Sequence, residues 1–460
     1  MTMELQRNSL EYNLGTLVLG VDTLWGGNVA SPSGVDHFIA DYWISGAPFP
    51  AVMNDPFAAA LRADGAGVLT KKDQTDAVRT FIEKYALDTL PNTLRGQMSS
   101  IQDKDRTTYL RNLISSLEVM RDRAMAEVGF FDMPSYELMY QTVMKQEVTF
   151  PDPAPYRENL RAALAHAGLE TTNSRNLQET LVAWQAANKL SKDAVPKTVA
   201  QLNKELLQKT REALFARVLP SLPGYASDLS DIAFDGMEFT TISEARFTGS
   251  NAYQGGEEQG KPLLRGLYEF NIQHTGTPTD MLHLSAHEIM PGHYLSAAML
   301  DLLWRANRLG FEATIGTMAT PETLFLEGWA ENAFELLYGS REKAIAAHGP
   351  ALAVVFACCD LESLGKHNAS VLYNRDGISV EELQARLARE YAQPPHLVKK
   401  LSGLVIQHPI LGPMYAPSYH VGTKIVADAI AVHGILPVAR VGMYLDGIVD
   451  IETFQKKLEK

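Results

Sequence analysis

Residues 287–293 read His-Glu-Ile-Met-Pro-Gly-His, and residues 325–331 read Phe-Leu-Glu-Gly-Trp-Ala-Glu. Two His and one Glu form the ligand set of a catalytic zinc site, which keeps a fourth position open for water. A Glu directly after the first His has the position of the general base in helical zinc hydrolases. The two motifs together therefore hold the residue types of a zinc hydrolase site.

The spacing of the two histidines differs from that of the familiar HExxH motif. There the second His follows four residues after the first, on the same helix face, whereas this chain has Pro291 at that position. In a regular helix His293 would lie about 120° around the axis from His287. Pro291 interrupts helical hydrogen bonding, and Gly292 permits backbone angles closed to other residues. We therefore expect a kink or bulge, with two extra residues, that returns His293 to the face of His287.

Each motif lies on a predicted helix with a clear N-terminus. Residues 277–280 (Thr-Pro-Thr-Asp) supply an N-cap Thr, a Pro at the first helical position and an acid at the third. Residues 320–322 (Thr-Pro-Glu) repeat the pattern before a helix predicted to end near Gly339. Glu331 follows Glu327 by four residues, so it either accepts a hydrogen bond from a ligand imidazole or is a solvated carboxylate.

His283 leaves a second ligand arrangement open. His283 and His287 are spaced i, i+4, so both could bind one metal on a regular helix without any kink. That pairing gives no role to Glu288 or His293. We therefore favour the pairing of His287 with His293, and we interpret Trp329 as core packing.

The two motifs resemble the HExxPGHH and EGWA signatures of the bacterial family called domain of unknown function 885. Proteins of that family are similar to gluzincins, the helical zinc peptidases of the thermolysin and carboxypeptidase Taq kind. The resemblance implies His287, His293 and Glu327 as ligands of one zinc ion per chain, with Glu288 as the general base. One residue departs from the signature, because Tyr294 replaces the family's second His.

The resemblance extends more weakly to two other segments. Residues 266–271 (Gly-Leu-Tyr-Glu-Phe-Asn) resemble the family's strand before the metal helix, and residues 419–422 (Tyr-His-Val-Gly) resemble its C-terminal Tyr-x-x-Gly. The N-terminal third, including residues 21–26, matches only loosely. The resemblance therefore covers the two metal-binding motifs best.

Tyr419 is the candidate oxyanion donor. A hydrolase that forms a tetrahedral oxyanion needs a hydrogen-bond donor opposite the zinc. Tyr419 follows a predicted turn rich in Gly and Pro, so its hydroxyl either fills that role or is a buried phenol with a satisfied hydrogen bond. His420 is a weaker alternative donor. The remaining histidines outside any ligand spacing are His274, His367, His396 and His408.

Composition limits the partners and the location. The 460 residues include 41 Lys and Arg against 54 Asp and Glu, a net charge of −13. So acidic a chain is a poor partner for nucleic acid or for an anionic membrane surface. It has no apolar run of about 18 residues, and residues 14–21, its most apolar early stretch, lack a signal-peptide layout. We therefore expect a cytoplasmic protein. The adjacent Cys358 and Cys359 predict neither a structural disulfide nor a zinc ribbon.

Helical periodicity dominates the chain, so we predict a mainly α fold with a small β-sheet beside the metal helices. Strand signals fall at residues 237–247 and 263–272, with a glycine-rich hairpin or lid at 255–260 between them. The strand before the metal helix could offer an unpaired edge to an extended peptide. We predict a helical lobe at residues 1–225 and a metal-binding catalytic lobe at residues 226–460. The alternative is that both segments form one continuous domain. A gluzincin-like central cleft is what the resemblance implies.

These features predict a zinc-dependent hydrolase, foremost a metallopeptidase or amidase that acts on peptides. Glu288 would take a proton from water and pass it to the leaving amine, and Tyr419 would steady the oxyanion. Two alternatives stay open, an esterase or amidase for small metabolites and a catalytically silent peptide-binding protein that keeps its metal. The intact Glu288 argues against silence. A homo-oligomer also stays open.

Overall fold

The chain is built mainly from α-helices, as the sequence predicts. The computed structural model describes residues 5–29, 39–169, 177–218, 237–243, 249–259, 261–274 and 276–460. The end of the first predicted strand, residues 244–247, and Gly260 of the glycine-rich segment lie outside these ranges. None of the helices in the described ranges is long and apolar enough to cross a membrane.

The first half of the chain starts with a buried N-terminal helix, against which the helices of residues 56–62, 90–98 and 104–127 pack. That helix contains residues 14–21, the most apolar early stretch, and all eight of those residues are buried. The helices are α1 (Leu10–Leu24), α2 (Pro56–Arg62), α3 (Thr75–Lys84), α4 (Leu90–Met98), α5 (Lys104–Glu127), α6 (Tyr136–Met144), α7 (Ala154–His166), α8 (Leu177–Asn188) and α9 (Val195–Thr210). A π-helical turn (Arg211–Phe215) and a last turn (Ala216–Val218) continue α9.

The second half supplies the helices that carry both motifs. They are α10 (Pro278–Glu288), α11 (His293–Arg305), α12 (Pro321–Glu331), α13 (Ala333–Tyr338), α14 (Arg341–His348), α15 (Pro350–Ser370), α16 (Val380–Glu390), α17 (Pro395–Leu401), α18 (Leu404–Gln407), α19 (Leu411–Met414), α20 (Ser418–His433), α21 (Ile435–Gly442) and α22 (Ile451–Leu458). A π-helical turn at Val371–Arg375 follows α15, and short 3₁₀ turns lie at Ala51–Asn54, Gly67–Leu69, Lys72–Gln74, Lys192–Ala194, Ile272–His274 and Phe311–Thr314.

The starts of the two metal-motif helices follow the predicted capping signals. The Thr277 hydroxyl accepts from the backbone N–H of Asp280, and the Asp280 carboxylate accepts from the N–H of Thr277, which completes a capping box. The Thr320 hydroxyl accepts from the N–H of Thr323 at the start of α12. Gly339 closes α13 in the left-handed region with φ 90°. The two N-caps fix where the metal-motif helices begin, whereas the helix predicted to run to Gly339 is interrupted at Asn332, between α12 and α13.

A three-stranded sheet lies beside the metal-motif helices. Its order is β2 (Met237–Ile242), β4 (Lys261–Asn271), β3 (Gly249–Glu258), with β4 parallel to β2 and antiparallel to β3. The segment predicted as a glycine-rich hairpin or lid lies in an antiparallel hairpin of β3 and β4, but its residues 255–258 belong to strand β3 and not to the connection. A separate antiparallel pair joins β1 (Ala40–Trp43) and β5 (Ile315–Thr317).

The prediction that the strand before the metal helix offers an unpaired edge is wrong. Strand β4 lies in the centre of its sheet, and β2 and β3 take both of its edges. One face of this sheet packs on α10 and α11, because Tyr268 and Phe270 of β4 are completely buried there and Tyr253 of β3 donates to Asp301 of α11 at 2.9 Å. The sheet thus supports the metal helices from one side.

The main hydrophobic core extends from α1 to α22. It joins Leu14 and Leu17 to Phe325 of α12 and Phe454 of α22, all at most 1% exposed. A smaller core cluster forms where α7 and α8 meet α15 and α16, around Leu164, Trp184 and Leu361 among others. Helix α15 therefore packs against α7, α8 and α16 in this smaller cluster.

Candidate metal centre

The helix between the two histidines is broken, as the spacing predicts. Helix α10 ends at Glu288 and α11 begins at His293. Across the break, the N–H of Gly292 donates to the carbonyl of Ala286 at 3.1 Å, and the N–H of Leu295 donates to that of Ile289 at 3.2 Å. Both bonds reach six residues back instead of four, so two extra residues are accommodated and the prediction of a kink is confirmed.

Gly292 is required by a close approach of backbone to backbone. Its φ of −74° and ψ of −136° lie outside the helical region. A Cβ atom built on Gly292 would lie 1.6 Å from the carbonyl oxygen of His287. Any side chain at this position would therefore push the two halves of the broken helix apart. The peptide bond between Met290 and Pro291 is cis.

The break brings three possible metal ligands to one point. The Nε2 atoms of His287 and His293 lie 3.1 Å apart, and they lie 3.6 and 3.7 Å from Oε2 of Glu327. Ligand atoms placed tetrahedrally at about 2.1 Å from a zinc ion lie roughly 3.4 Å from each other. Within the described ranges these three residues form the cluster that could hold a metal.

An unsatisfied carboxylate oxygen supports a cation at this point. Glu327 is 4% exposed, and its Oε2 is buried without a hydrogen-bond partner. Its other oxygen, Oε1, accepts a hydrogen bond from the Tyr415 hydroxyl at 2.9 Å. A buried carboxylate oxygen without a partner is costly, and a metal ion between Oε2 and the two imidazoles would remove that cost. The residues therefore fit a metal.

Glu331 lies behind the ligands, as the helix spacing predicts. Its Oε1 is 3.4 Å from Nδ1 of His287, and its Oε2 is 3.9 Å from Nε2 of His283. A proton on His287 Nδ1 leaves the Nε2 lone pair facing the other ligands, which is the tautomer that a metal needs. Burial raises the pKa of Glu331 to about 7. The reading of Glu331 as a solvated carboxylate does not fit this burial.

His283 lies outside the cluster of His287, His293 and Glu327. Its ring stacks on Phe334 with a 5.9 Å centroid separation, and its Nδ1 lies 3.8 Å from Sγ of Cys359. Burial lowers the pKa of His283 to about 4, so the ring is neutral at physiological pH. The alternative pairing of His283 with His287 is not what the geometry favours.

The two ligand imidazoles differ in charge. Burial, followed by the nearby His293, lowers the pKa of His287 well below its usual range. Burial also disfavours charge on His293, but the adjacent Glu327 carboxylate outweighs it and raises the pKa of His293 to about 9. The metal-free site therefore holds one proton where a cation would lie, and metal binding would release it.

Glu288 ends the helix that carries the first histidine. Its carbonyl oxygen accepts from Nδ2 of Asn251 on β3 at 2.9 Å, which ties the helix end to the sheet. Burial raises the pKa of the Glu288 carboxyl to about 7. A carboxyl with such a pKa can accept and return a proton near neutral pH.

Tyr294, which stands where the resembled family has a second His, lies away from the metal ligands. Its hydroxyl donates to the carbonyl oxygen of Leu264 at 2.7 Å, and its ring is completely buried against Tyr253. The ring belongs to the contact between α11 and the sheet. His293 therefore remains the residue of this segment that points at His287.

Tyr419 lies in the first turn of helix α20, directly after a turn at residues 415–417. Pro417 is the N-cap of α20, so the Gly- and Pro-rich segment marks a helix start. The Tyr419 hydroxyl is 2.6 Å from the hydroxyl of Tyr415, which donates to Glu327. Because the Tyr415 proton is committed to Glu327, Tyr419 donates to Tyr415. His420, the weaker alternative, packs against the rings of His367 and Tyr156.

Sequence reasoning did not identify Tyr415. Its four-residue spacing from Tyr419 was visible, but Tyr415 is the C-cap of the short helix α19 and Tyr419 lies in the next helix, α20. The indole N–H of Trp329 was also missed, and it donates to the Pro291 carbonyl at 2.7 Å. Trp329 is core packing as expected, and it also joins the second motif to the helix break.

Comparisons with known proteins indicate a fold and no activity. No family model and no curated protein matches the chain. A "putative lipoprotein" of Colwellia psychrerythraea is 13% identical, with a TM-score of 0.49, over 80% of this chain and 66% of that protein. A "putative lipoprotein of unknown function" from Shewanella oneidensis is 12% identical, with a TM-score of 0.51, over 89% of this chain and 80% of that protein. At such identities only the second supports a similar fold.

Proposed function

We propose that the chain is a zinc-dependent hydrolase, a peptidase or amidase that cleaves peptide substrates. One observation carries this proposal, the convergence of two imidazole Nε2 atoms on a buried carboxylate oxygen of Glu327 that has no hydrogen-bond partner. Two nitrogen ligands and one carboxylate are a ligand set of catalytic zinc, and three protein ligands leave a fourth position for water.

Each nearby side chain has a role in this reaction. When bound, zinc supplies Lewis-acid activation of a water and of the scissile carbonyl. Glu288 takes the proton of the attacking water and returns it to the leaving amine. Glu331 holds the tautomer of His287, and Tyr415 holds Glu327 by its Oε1 so that Oε2 stays directed at the histidines.

Tyr419 would donate to the oxyanion. In the substrate-free protein its proton points at Tyr415, 2.6 Å away. A negatively charged oxygen is a stronger acceptor than a phenol, so the Tyr419 O–H would turn from Tyr415 to the oxyanion as charge develops. Tyr415 keeps its own bond to Glu327 throughout. The donor is thus held in place before the reaction begins.

A peptide digest tests the proposal. The protein is treated with a chelator, reloaded with zinc or left metal-free, and given a peptide library whose products are read by mass spectrometry. We expect cleavage that depends on added zinc. A library of small esters distinguishes the esterase alternative. Zinc-loaded protein that binds peptides but cleaves neither library would contradict the proposal and favour a silent peptide-binding protein.

A further inference from the structure

Lys366 of α15 reaches towards the candidate site from outside both motifs. Its Nζ lies 3.5 Å from the centroid of the Tyr419 ring, whose hydroxyl contacts Tyr415. The side chain as a whole is 18% exposed, so most of it is covered by the protein. A cation over an aromatic face is attracted by the electron density of the ring, which fixes the ammonium beside the expected oxyanion donor.

Nearby carboxylates only partly neutralise the charge of Lys366. Glu362, one helical turn earlier, lies 3.7 Å from Nζ, and the same carboxylate oxygen is 3.5 Å from Nζ of Lys400. Burial works against charge on Glu362, but the two lysines hold its pKa at about 2, so it carries a single negative charge. Glu362 is therefore shared between two lysines and is not the partner of Lys366 alone.

The charge of Lys366 acts on the metal site itself. It lowers the pKa values of Glu288 and Glu331, which burial raises, and it adds to the effects that lower the pKa of His287. Arg341, another cation near Glu331, is held at 2.6 Å by both Glu335 and Asp360. Lys366 therefore brings positive charge to a site whose base and supporting groups are carboxylates.

We propose that Lys366 binds a carboxylate of the substrate, so that the enzyme cleaves an amide bond whose leaving amine carries a free carboxylate. The C-terminal residue of a peptide and an N-acyl amino acid both have this chemistry. The inference rests on the proposed function for the reaction, and on the position of Lys366 for the substrate class. The ammonium of Lys366 has three N–H donors and no lone pair, so it can donate hydrogen bonds but cannot accept them. A substrate carboxylate both accepts such hydrogen bonds and carries the opposite charge.

Binding to an inactive enzyme tests this site without turnover. Zinc-loaded Glu288→Gln protein is given two pools of N-acetylated tetrapeptides that differ only in their C-termini, which are free acids or amides. Bound peptides are separated by size exclusion and counted by mass spectrometry. We expect acids to bind about 10- to 100-fold more tightly than amides, because a neutral amide offers the ammonium of Lys366 no opposite charge. A third pool of N-acetyl amino acids shows whether a single residue suffices.

Variants in the Glu288→Gln background assign the preference to Lys366. Lys366→Met keeps the stem over the Tyr419 ring and should remove the preference, whereas Lys366→Arg keeps the charge and should retain it. Lys424→Met removes a lysine of α20 that is 67% exposed and should change nothing. Zinc content, measured on each protein, should stay at the parent level.

Three results would overturn the inference. They are equal binding of acids and amides, a preference that survives Lys366→Met, and binding of neither pool. Digestion of the same pools by the active enzyme separates this inference from the proposed function. Equal cleavage of acids and amides would keep the hydrolase and remove the carboxylate site. Selective binding of acids without any cleavage would keep the carboxylate site and contradict the hydrolase.

Discussion

Gly328 and Gly422 touch backbone to backbone where α12 crosses α20. A Cβ atom on Gly328 would lie 2.4 Å from the carbonyl oxygen of Gly422, and one on Gly422 would lie 2.2 Å from that of Leu324. The residues that flank this crossing are the candidate metal ligand Glu327 and, one turn away, Tyr419. The close approach therefore sets the distance between the metal ligand and the two tyrosine hydroxyls.

Gly422→Ala should damage both the fold and the metal site. The added methyl group meets rigid backbone, so we expect a loss of about 1–3 kcal/mol in the free energy of unfolding, together with weaker zinc binding. Denaturant unfolding and a zinc competition assay measure the two effects. Gly96→Ala is the matched control, because Gly96 lies in α4 with nothing near its Cβ position, and Ala should be neutral or stabilising there. Unchanged zinc affinity in Gly422→Ala would contradict this role.

Loss of any one ligand should remove most of the zinc. We expect about one zinc per purified chain, and His287→Ala, His293→Ala and Glu327→Ala should each retain little of it. Glu331→Ala should weaken binding by only about 10- to 100-fold, because Glu331 acts through His287. Elemental analysis and chelator competition supply the numbers. Retention of zinc by His293→Ala with loss in His283→Ala would restore the alternative pairing.

Tyr415→Phe should weaken the metal site without unfolding the protein. It removes the donor to Oε1 of Glu327, which frees that carboxylate to rotate, so we expect zinc affinity to fall about 10- to 100-fold. Tyr136→Phe is the control, since its buried hydroxyl bonds to Ser370 elsewhere in the fold. Chelator competition compares the two variants. Equal zinc affinity in both would show that Tyr415 does not position Glu327.

Zinc affinity should depend on pH through His293. Its folded pKa of about 9 is raised above the usual value, so in the metal-free protein its charge stabilises the fold below about pH 6.5 and that stabilisation is lost as pH rises through 9. Zinc must displace the proton, so we expect affinity to rise about tenfold per pH unit between pH 7 and 9. Calorimetry in buffers of different ionisation enthalpy counts the released proton. A pH-independent affinity over that interval would contradict the assignment.

The sequence predicted local structure best at residues that restrict the backbone conformation or cap a helix. The Pro291-Gly292 pair, between two histidines spaced by six residues, predicts a two-residue bulge, and the hydrogen bonds have that form. The capping residues Thr277 and Thr320 similarly located both helix starts.

Predictions from local sequence pattern failed where contacts with distant segments of the chain determine the structure. Gly255 and Gly256 made β3 look like a loop, although pairing with β4 holds it as a strand. The contact between Gly328 and Gly422 joins residues that are far apart in the chain, so no local signal could predict it.

The zinc-loaded Glu288→Gln variant, compared with wild type in the peptide digest, tests the central claim most directly. Gln keeps the size of the side chain and removes the basic oxygen, so zinc content and thermal stability should stay at wild-type levels. We expect cleavage to fall by about 10²–10⁴-fold, which is what a base positioned on the nucleophile contributes. Tyr419→Phe should lower the cleavage rate by less, about 10²–10³-fold. Cleavage at the wild-type rate by Glu288→Gln with zinc in place would contradict the account.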